Sequence, residues 1–230
     1  MNDVKYFNVP IRLYQDFLED SASVLSDVLV FALYEHSEKK LEKGSEIVRF
    51  KAACDYYDVD DKNATINLHK AKQIVYYPND PRVGISLTMF WDFYSNQKSE
   101  FEKVSLLAYL AIRSILQNKS YFKLTNNYWL ARMDGKSNSV KSFNELSSGV
   151  KKYSTEYQLT KIKKELRDSW GLVYYGKNVR GFYVSNTMTV EDLVFEVFKN
   201  RQKKSDGYAD IIKQAEKQAV INLSRPLHDH

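Results

Sequence analysis

Lys161, Lys163, Lys164 and Arg167 fall within seven residues of one another, just after Tyr157 and Gln158. Apolar residues interrupt them at Leu159, Ile162 and Leu166. That spacing of i, i+3 and i+7 predicts a helix over about 155–169 with one face turned to a core. Tyr157, Lys161, Lys164 and Asp168 then share another face, with Gln158 beside them near the N-terminal end. Ammonium and guanidinium groups on a solvated face bind phosphate, because they neutralise its charge and release counterions. Gln pairs with adenine, and Lys with guanine, through base edges. The chemistry offered here is recognition of nucleic acid. Lys163, Lys164 and Arg167 suit phosphates, and Tyr157, Gln158 and Lys161 lie nearer the bases. A helix that packs one face and solvates the other is the alternative.

Little else in the sequence is arranged for chemistry. There is no GxxxxGK[ST] and no GxGxxG, and the chain has only 8 Gly, so no phosphate-cradling loop is expected. His36, His69, His228 and His230 are scattered. His228 and His230 flank Asp229, which offers two imidazole ligands at a chain end and little more. Asp55, Asp58, Asp60 and Asp61 form the densest carboxylate cluster. Two of them could hold Mg²⁺ in a nuclease. The cluster lacks the glycine and terminal glutamate of a calcium loop, and helix caps with a solvated loop account for it better. Cys54 is the single cysteine, so there is no internal disulfide and no cysteine-based zinc site. It reads as a buried structural thiol. These features predict a non-enzyme with no metal and no cofactor.

The charge distribution singles out the same stretch. Net charge is +5, but residues 119–185 alone carry 13 basic and 5 acidic side chains. Residues 1–118 carry 14 basic and 17 acidic ones, and residues 186–230 carry 7 of each. A local basic field is what a phosphate backbone requires. The length suits one large domain or two small ones, and 17 Tyr with 12 Phe supply a core. The longest apolar run, Val104 to Ile112, falls far short of the roughly 20 residues of a membrane span. The stretch MNDVKYFNVP lacks the apolar centre of a secretion signal. The expectation is a cytoplasmic protein with no membrane partner.

The elements that must position the basic helix follow from periodicity. Residues 1–98 are expected to be mostly helical: one or two helices to about Leu41, another over 46–57 and a short one over 65–73. Loop or short strands follow around Pro78-Asn79-Asp80-Pro81. Phe101 to Gln117 is the strongest helix, apolar around more than half its circumference, with a Ser99–Glu102 capping box. YFKLT is a short strand, and Thr125 or Asn126 caps a helix ending at Gly135. Residues 136–154 read as a long basic loop with one helical turn near Phe143 to Leu146, and Lys151 and Lys152 at its end are candidate phosphate contacts. After the basic helix, two strands over 171–175 and 181–185 flank a charged turn with Lys177 and Arg180. A helix over 189–201, a polar stretch and a helix over 208–223 complete the chain.

In order, residues 101–185 read helix, strand, helix, basic loop, helix, strand, turn, strand. That order, ending in Trp170-Gly171-Leu172 and a hairpin closing on Gly-Phe-Tyr-Val, resembles the winged-helix variant of the helix-turn-helix fold. It is similar to the DNA-binding parts of plasmid, phage and mobile-element replication initiators and regulators. The 19 residues between Gly135 and Thr155 depart from the usual short turn. The resemblance implies a mainly α fold with a small β-hairpin, divided into a helical region (1–98), a winged-helix domain (99–185) and a helical extension (186–230). It implies a regulator or replication-associated protein that binds double-stranded DNA, with the third helix in the major groove and the wing on the backbone. Tyr157, Gln158, Lys161, Lys164, Arg167, Lys151, Lys152, Lys177 and Arg180 are the expected contacts. Trp170, Tyr174, Phe182 and Tyr183 stack in the core between wing and helix rather than on bases. Trp129 and Arg132 could touch phosphate, and Trp129 could equally be core. A second copy of the chain is a further candidate partner. The alternative function is a non-enzymatic protein-docking module on the same fold.

Overall fold

The computed structural model describes residues 5–41, 43–176 and 181–223, the last stretch largely as backbone beyond residue 203. Ser99 Oγ accepts from Glu102 N at 3.2 Å, and Glu102 Oε2 accepts from Ser99 N at 2.9 Å. This reciprocal cap starts the central helix, which we label α5 (Glu100–Leu116) in chain order. Its side chains from Val104 to Leu116 are buried on nearly every side. A helix that apolar has to be covered by several elements at once.

The N-terminal part supplies one side of that cover. Strand β1 (Tyr6–Pro10) pairs antiparallel with β2 (Arg82–Ser86), Phe7 opposite Ile85 and Val9 opposite Val83. Those four side chains are buried on one face of the ribbon, and β2 packs on α5. Between the strands come a short 3-10 turn (Ile11–Tyr14) and helices α1 (Ser21–Lys40), α2 (Glu46–Tyr57) and α3 (Ala64–Gln73). Helix α4 (Leu87–Ser95) follows β2 directly, capped by Ser86. The region is mostly helical, as expected; β2 falls in the stretch read as loop or short strands, and β1 is the addition. Each is only five residues long, and its partner lies far along the chain, so no hairpin signal announces either.

The C-terminal part covers the other side. In order come β3 (Phe122–Leu124), α6 (Asn126–Met133), a 3-10 turn (Phe143–Glu145), α7 (Ser148–Lys151), α8 (Glu156–Asp168), β4 (Val173–Tyr175), β5 (Phe182–Ser185) and α9 (Val190–Leu223). The three strands form one antiparallel sheet in the order β3-β5-β4. Lys123 stands opposite Tyr183, and Tyr174 opposite Val184.

Two further expectations change here. Residues 136–154 keep the expected helical turn at Phe143–Glu145 but add α7 and pack on the core. Val140, Leu146, Val150 and Tyr153 are buried, and the carboxylate of Glu19 takes hydrogen bonds from Ser148 Oγ and Gly149 N. The break expected near residues 203–208 is also absent, and α9 runs through it. Polar side chains solvate a helix without ending it, and a single Gly207 costs only about 1 kcal/mol.

One hydrophobic core runs from Phe7 to Val184, with α5 as its spine. The fold is mainly helical with two small antiparallel sheets. Among the described residues, no helix is long and apolar enough to cross a membrane.

Candidate nucleic-acid interface

Thr155 Oγ1 accepts from Gln158 N at 3.3 Å and starts α8. Leu159, Ile162 and Leu166 are buried, as their spacing requires, and the helix lies against α5. Trp170 follows it and packs on Tyr109 of α5 with ring centres 4.9 Å apart. The amide of Leu172 closes onto the Leu166 carbonyl at 3.0 Å, which turns the chain into β4. The opposite face of α8 is open. Tyr157 is 73% exposed, and Thr160, Lys161, Lys164, Arg167 and Asp168 are exposed with it. Gln158 sits half-buried on the flank.

The basic groups differ in how they are held. Lys161 Nζ rests 4.3 Å from the ring centre of Phe101, at the start of α5. Lys152 pairs with Glu100 in that same turn, and Tyr153 Oη donates to the same carboxylate at 2.9 Å. Lys152, then Tyr153, hold the Glu100 carboxyl below its ordinary range. Lys151 is exposed at the end of α7. Arg167 Nε lies 2.7 Å from Asp168 Oδ1, an exposed pair of small energetic weight. That bond, with help from Lys164, holds the Asp168 carboxyl low. Lys177 and Arg180 lie outside the described residues.

Lys163 is the main correction on this helix. Its Nζ donates to Asn126 Oδ1 at 3.2 Å and stands 4.0 Å from the Phe182 ring centre and 5.7 Å from that of Trp129. Burial pulls the ammonium below its ordinary pKa, partly opposed by Glu156. It follows Ile162 directly and so flanks the buried face, and its long stem carries the charge inward between α6 and β5. It stands with Asn126, Phe182 and Trp129 rather than on the open face with Lys161 and Lys164.

The aromatic residues divide. Trp129 is fully buried, its Nε1 donating to the Ala108 carbonyl at 3.1 Å. Phe182 is buried edge-on to it, with centres 5.7 Å apart. Trp170 and Tyr174 pack partly against the same core. Tyr183 does not: it lies half-buried on the other face of the sheet, near Lys123 at 5.9 Å and Arg201 at 6.0 Å. The alternation along β5 sends neighbours to opposite faces. Arg132 is buried too and is not part of the open face of α8.

Thr160 belongs to the open face and was legible from the helix period. Lys123 and Arg201 beside Tyr183 were not, because the β3–β5 pairing and the docking of α9 that assemble them are long-range.

The other candidate chemistry is occupied by local structure. Asp61 pairs with Lys51 at 3.1 Å and Asp60 with Lys62 at 3.0 Å, while Asp58 ends α2 in the left-handed region. Among the described residues, no three His, Cys, Asp or Glu side chains gather as a metal site. Cys54 is buried, and burial, then Asp61 and Asp55, push its thiol up to about 11. His228 and His230 lie outside the described residues.

Comparison with protein-family models, curated proteins and solved structures finds no match in any of the three.

Proposed function

We propose that this chain is a DNA-binding protein, a transcriptional regulator or a replication-associated protein of a mobile element. In this reading residues 99–185 act as a winged helix: α8 enters the major groove and the β4–β5 hairpin rides on the backbone beside it. The observation that carries the proposal is the open face of α8. Three buried side chains anchor the helix, and Tyr157, Thr160, Lys161 and Lys164 face solvent. Its 13 residues span about 20 Å, and a helix about 10–12 Å across fits a groove about 12 Å wide. The element order α5-β3-α6-α7-α8-β4-β5, with β5 between β3 and β4, supports the same unit. Lys151, Lys152 and Arg167 border the face and position the backbone.

Fluorescence anisotropy with random duplex DNA at two salt concentrations tests this. The expected result is salt-sensitive binding that Lys161→Ala/Lys164→Ala weakens, the salt slope falling by about 1 for each phosphate left without its cation. No binding at low salt by folded protein overturns it.

A second reading is a protein-docking module. It draws on the carboxylate partners that Lys152 and Arg167 already have within the chain, which leave the face less basic than its sequence suggests. Retention by a protein partner or a second copy of the chain, without DNA binding, favours it.

A further inference from the structure

Arg132 of α6 is only 3% exposed. Its Nη2 donates to the Tyr128 hydroxyl at 2.7 Å and to the Ser137 carbonyl at 3.1 Å. Its Nε and Nη1 are buried with no hydrogen-bond partner among the described residues. Burial pulls its pKa down, and the neighbour that supports the charge is a tyrosine, not a carboxylate. A guanidinium does not escape burial by losing its proton. A buried charge of this kind calls for a counter-charge.

Arg132 lines a cavity of about 590 Å³ where the Pro78–Arg82 turn, the end of α5 and α6 meet. Two other charged groups in its wall are already answered. Asp80 lies 3.4 Å from Arg12 Nε and accepts from Tyr77 N at 3.1 Å. Arg82 is bound to Glu35. Lys119 is different: it lines the cavity with its Nζ 4.5 Å from the Phe122 ring centre, and it makes no ion pair among the described residues. Among the described residues, then, two cations of the wall have no acidic partner. Tyr128 Oη accepts from Arg132, so its own proton is free to donate. Gln117 adds an amide from a backbone at φ 48° and ψ −116°, a conformation that a side chain rarely takes. Strain of this kind gathers at binding sites.

Two cations, a hydroxyl and an amide in the lining of one cavity suit a tetrahedral oxyanion of double charge. The volume is that of a small-molecule site rather than of a bare ion. We propose that this cavity binds a small phosphate ester. The site is separate from the open face of α8: it lies at the C-terminal end of α5, whereas Lys161 of α8 meets Phe101 at the N-terminal end. The proposal does not depend on DNA binding.

Inorganic phosphate and glycerol 3-phosphate are the probes, titrated by calorimetry and by thermal unfolding against chloride at matched ionic strength. The expected result is saturable binding, with the ester tighter than phosphate, weakened about tenfold by Lys119→Ala. Lys119 is exposed, so that variant keeps the fold. Arg132→Lys should weaken it at least as much, with circular dichroism reporting its folding. No saturable response up to about 10 mM, a range that detects even the millimolar binding of a weak site, overturns the proposal. So does a response unchanged in Lys119→Ala. Competition between phosphate and duplex DNA that Lys119→Ala abolishes assigns the cations to a DNA backbone, and also overturns it.

Discussion

The ammonium of Lys163 stands 4.0 Å from the centre of the Phe182 ring and donates to Asn126 at 3.2 Å. One side chain thus ties α8 to β5 and to the first residue of α6. A desolvated ammonium over an aromatic face is attracted to it, but its charge gains less from the protein than from water. What the residue contributes is chiefly packing by its stem. Lys163→Met should therefore leave stability within about 1 kcal/mol of the parent, and Lys163→Ala should cost about 1–2 kcal/mol through the space it opens. Neither should change the affinity for duplex DNA beyond what loss of fold explains. Urea unfolding and anisotropy on the same preparations check this. A folded Lys163→Met protein with tenfold weaker binding would return Lys163 to the interface.

Gly181 shows how the hairpin is seated. Its φ is 87°, and a Cβ there would lie 2.2 Å from the Leu124 carbonyl oxygen, at the end of β3. Gly171 also has a positive φ, of 65°, yet a Cβ there would meet nothing within 4 Å. The two glycines separate conformational strain from collision. Gly171→Ala should cost about 1–2 kcal/mol, the left-handed penalty alone. Gly181→Ala should cost about 3 kcal/mol or more, since overpacking against backbone adds to that penalty. Equal losses in paired urea melts would place β3 away from the start of β5.

The sequence made the local half of this architecture legible. Leu159, Ile162 and Leu166 announced the buried face of α8, and Ser99 with Glu102 announced the start of α5, because helical spacing and caps are short-range signals. What escaped was set by distant pairing. Nothing near Tyr6 says that Ser86 will stand opposite it. Nothing near Lys136 says that the segment after it will dock on Glu19. The fate of Lys163 turned on its place at the edge of a buried arc, where one position decides between solvent and an aromatic pocket. The pocket around Arg132 was equally hidden, since its walls come from three separated stretches of chain.

The two faces of α8 should respond oppositely to truncation. Leu166 is buried, and its carbonyl receives the amide of Leu172, so the side chain sits where helix, turn and sheet join. Leu166→Ala should cost about 2–5 kcal/mol, as buried leucines do. Tyr157→Ala on the open face should change stability by no more than about 0.5 kcal/mol while weakening DNA binding. Denaturant melts of both, with anisotropy on the second, make the comparison. A Leu166→Ala loss below about 0.5 kcal/mol would turn the helix over.

His36 gives α1 a pH dependence of definite sign. Its ring stacks on Tyr56 with centres 4.5 Å apart, and Tyr57 Oη lies 3.3 Å from Nδ1. Burial first, then the charges of Lys40 and Lys5, lower its pKa from the ordinary value. The folded protein therefore binds a proton at His36 less readily than the unfolded chain does. Above about pH 6.5 both states hold the neutral ring, and the native contacts keep their full worth. As the pH falls through that value towards the lowered folded one, the unfolded state takes up the proton first and stability is lost. Carboxylates titrate at the lower end of the same range, so the informative quantity is the difference between the parent and His36→Gln. The parent's stability relative to the variant should fall between about pH 7.5 and pH 5. A difference that stays constant would mean that the ring titrates as it does in the unfolded chain, and one that grows as the solution is acidified would mean that the folded protein favours the charged ring.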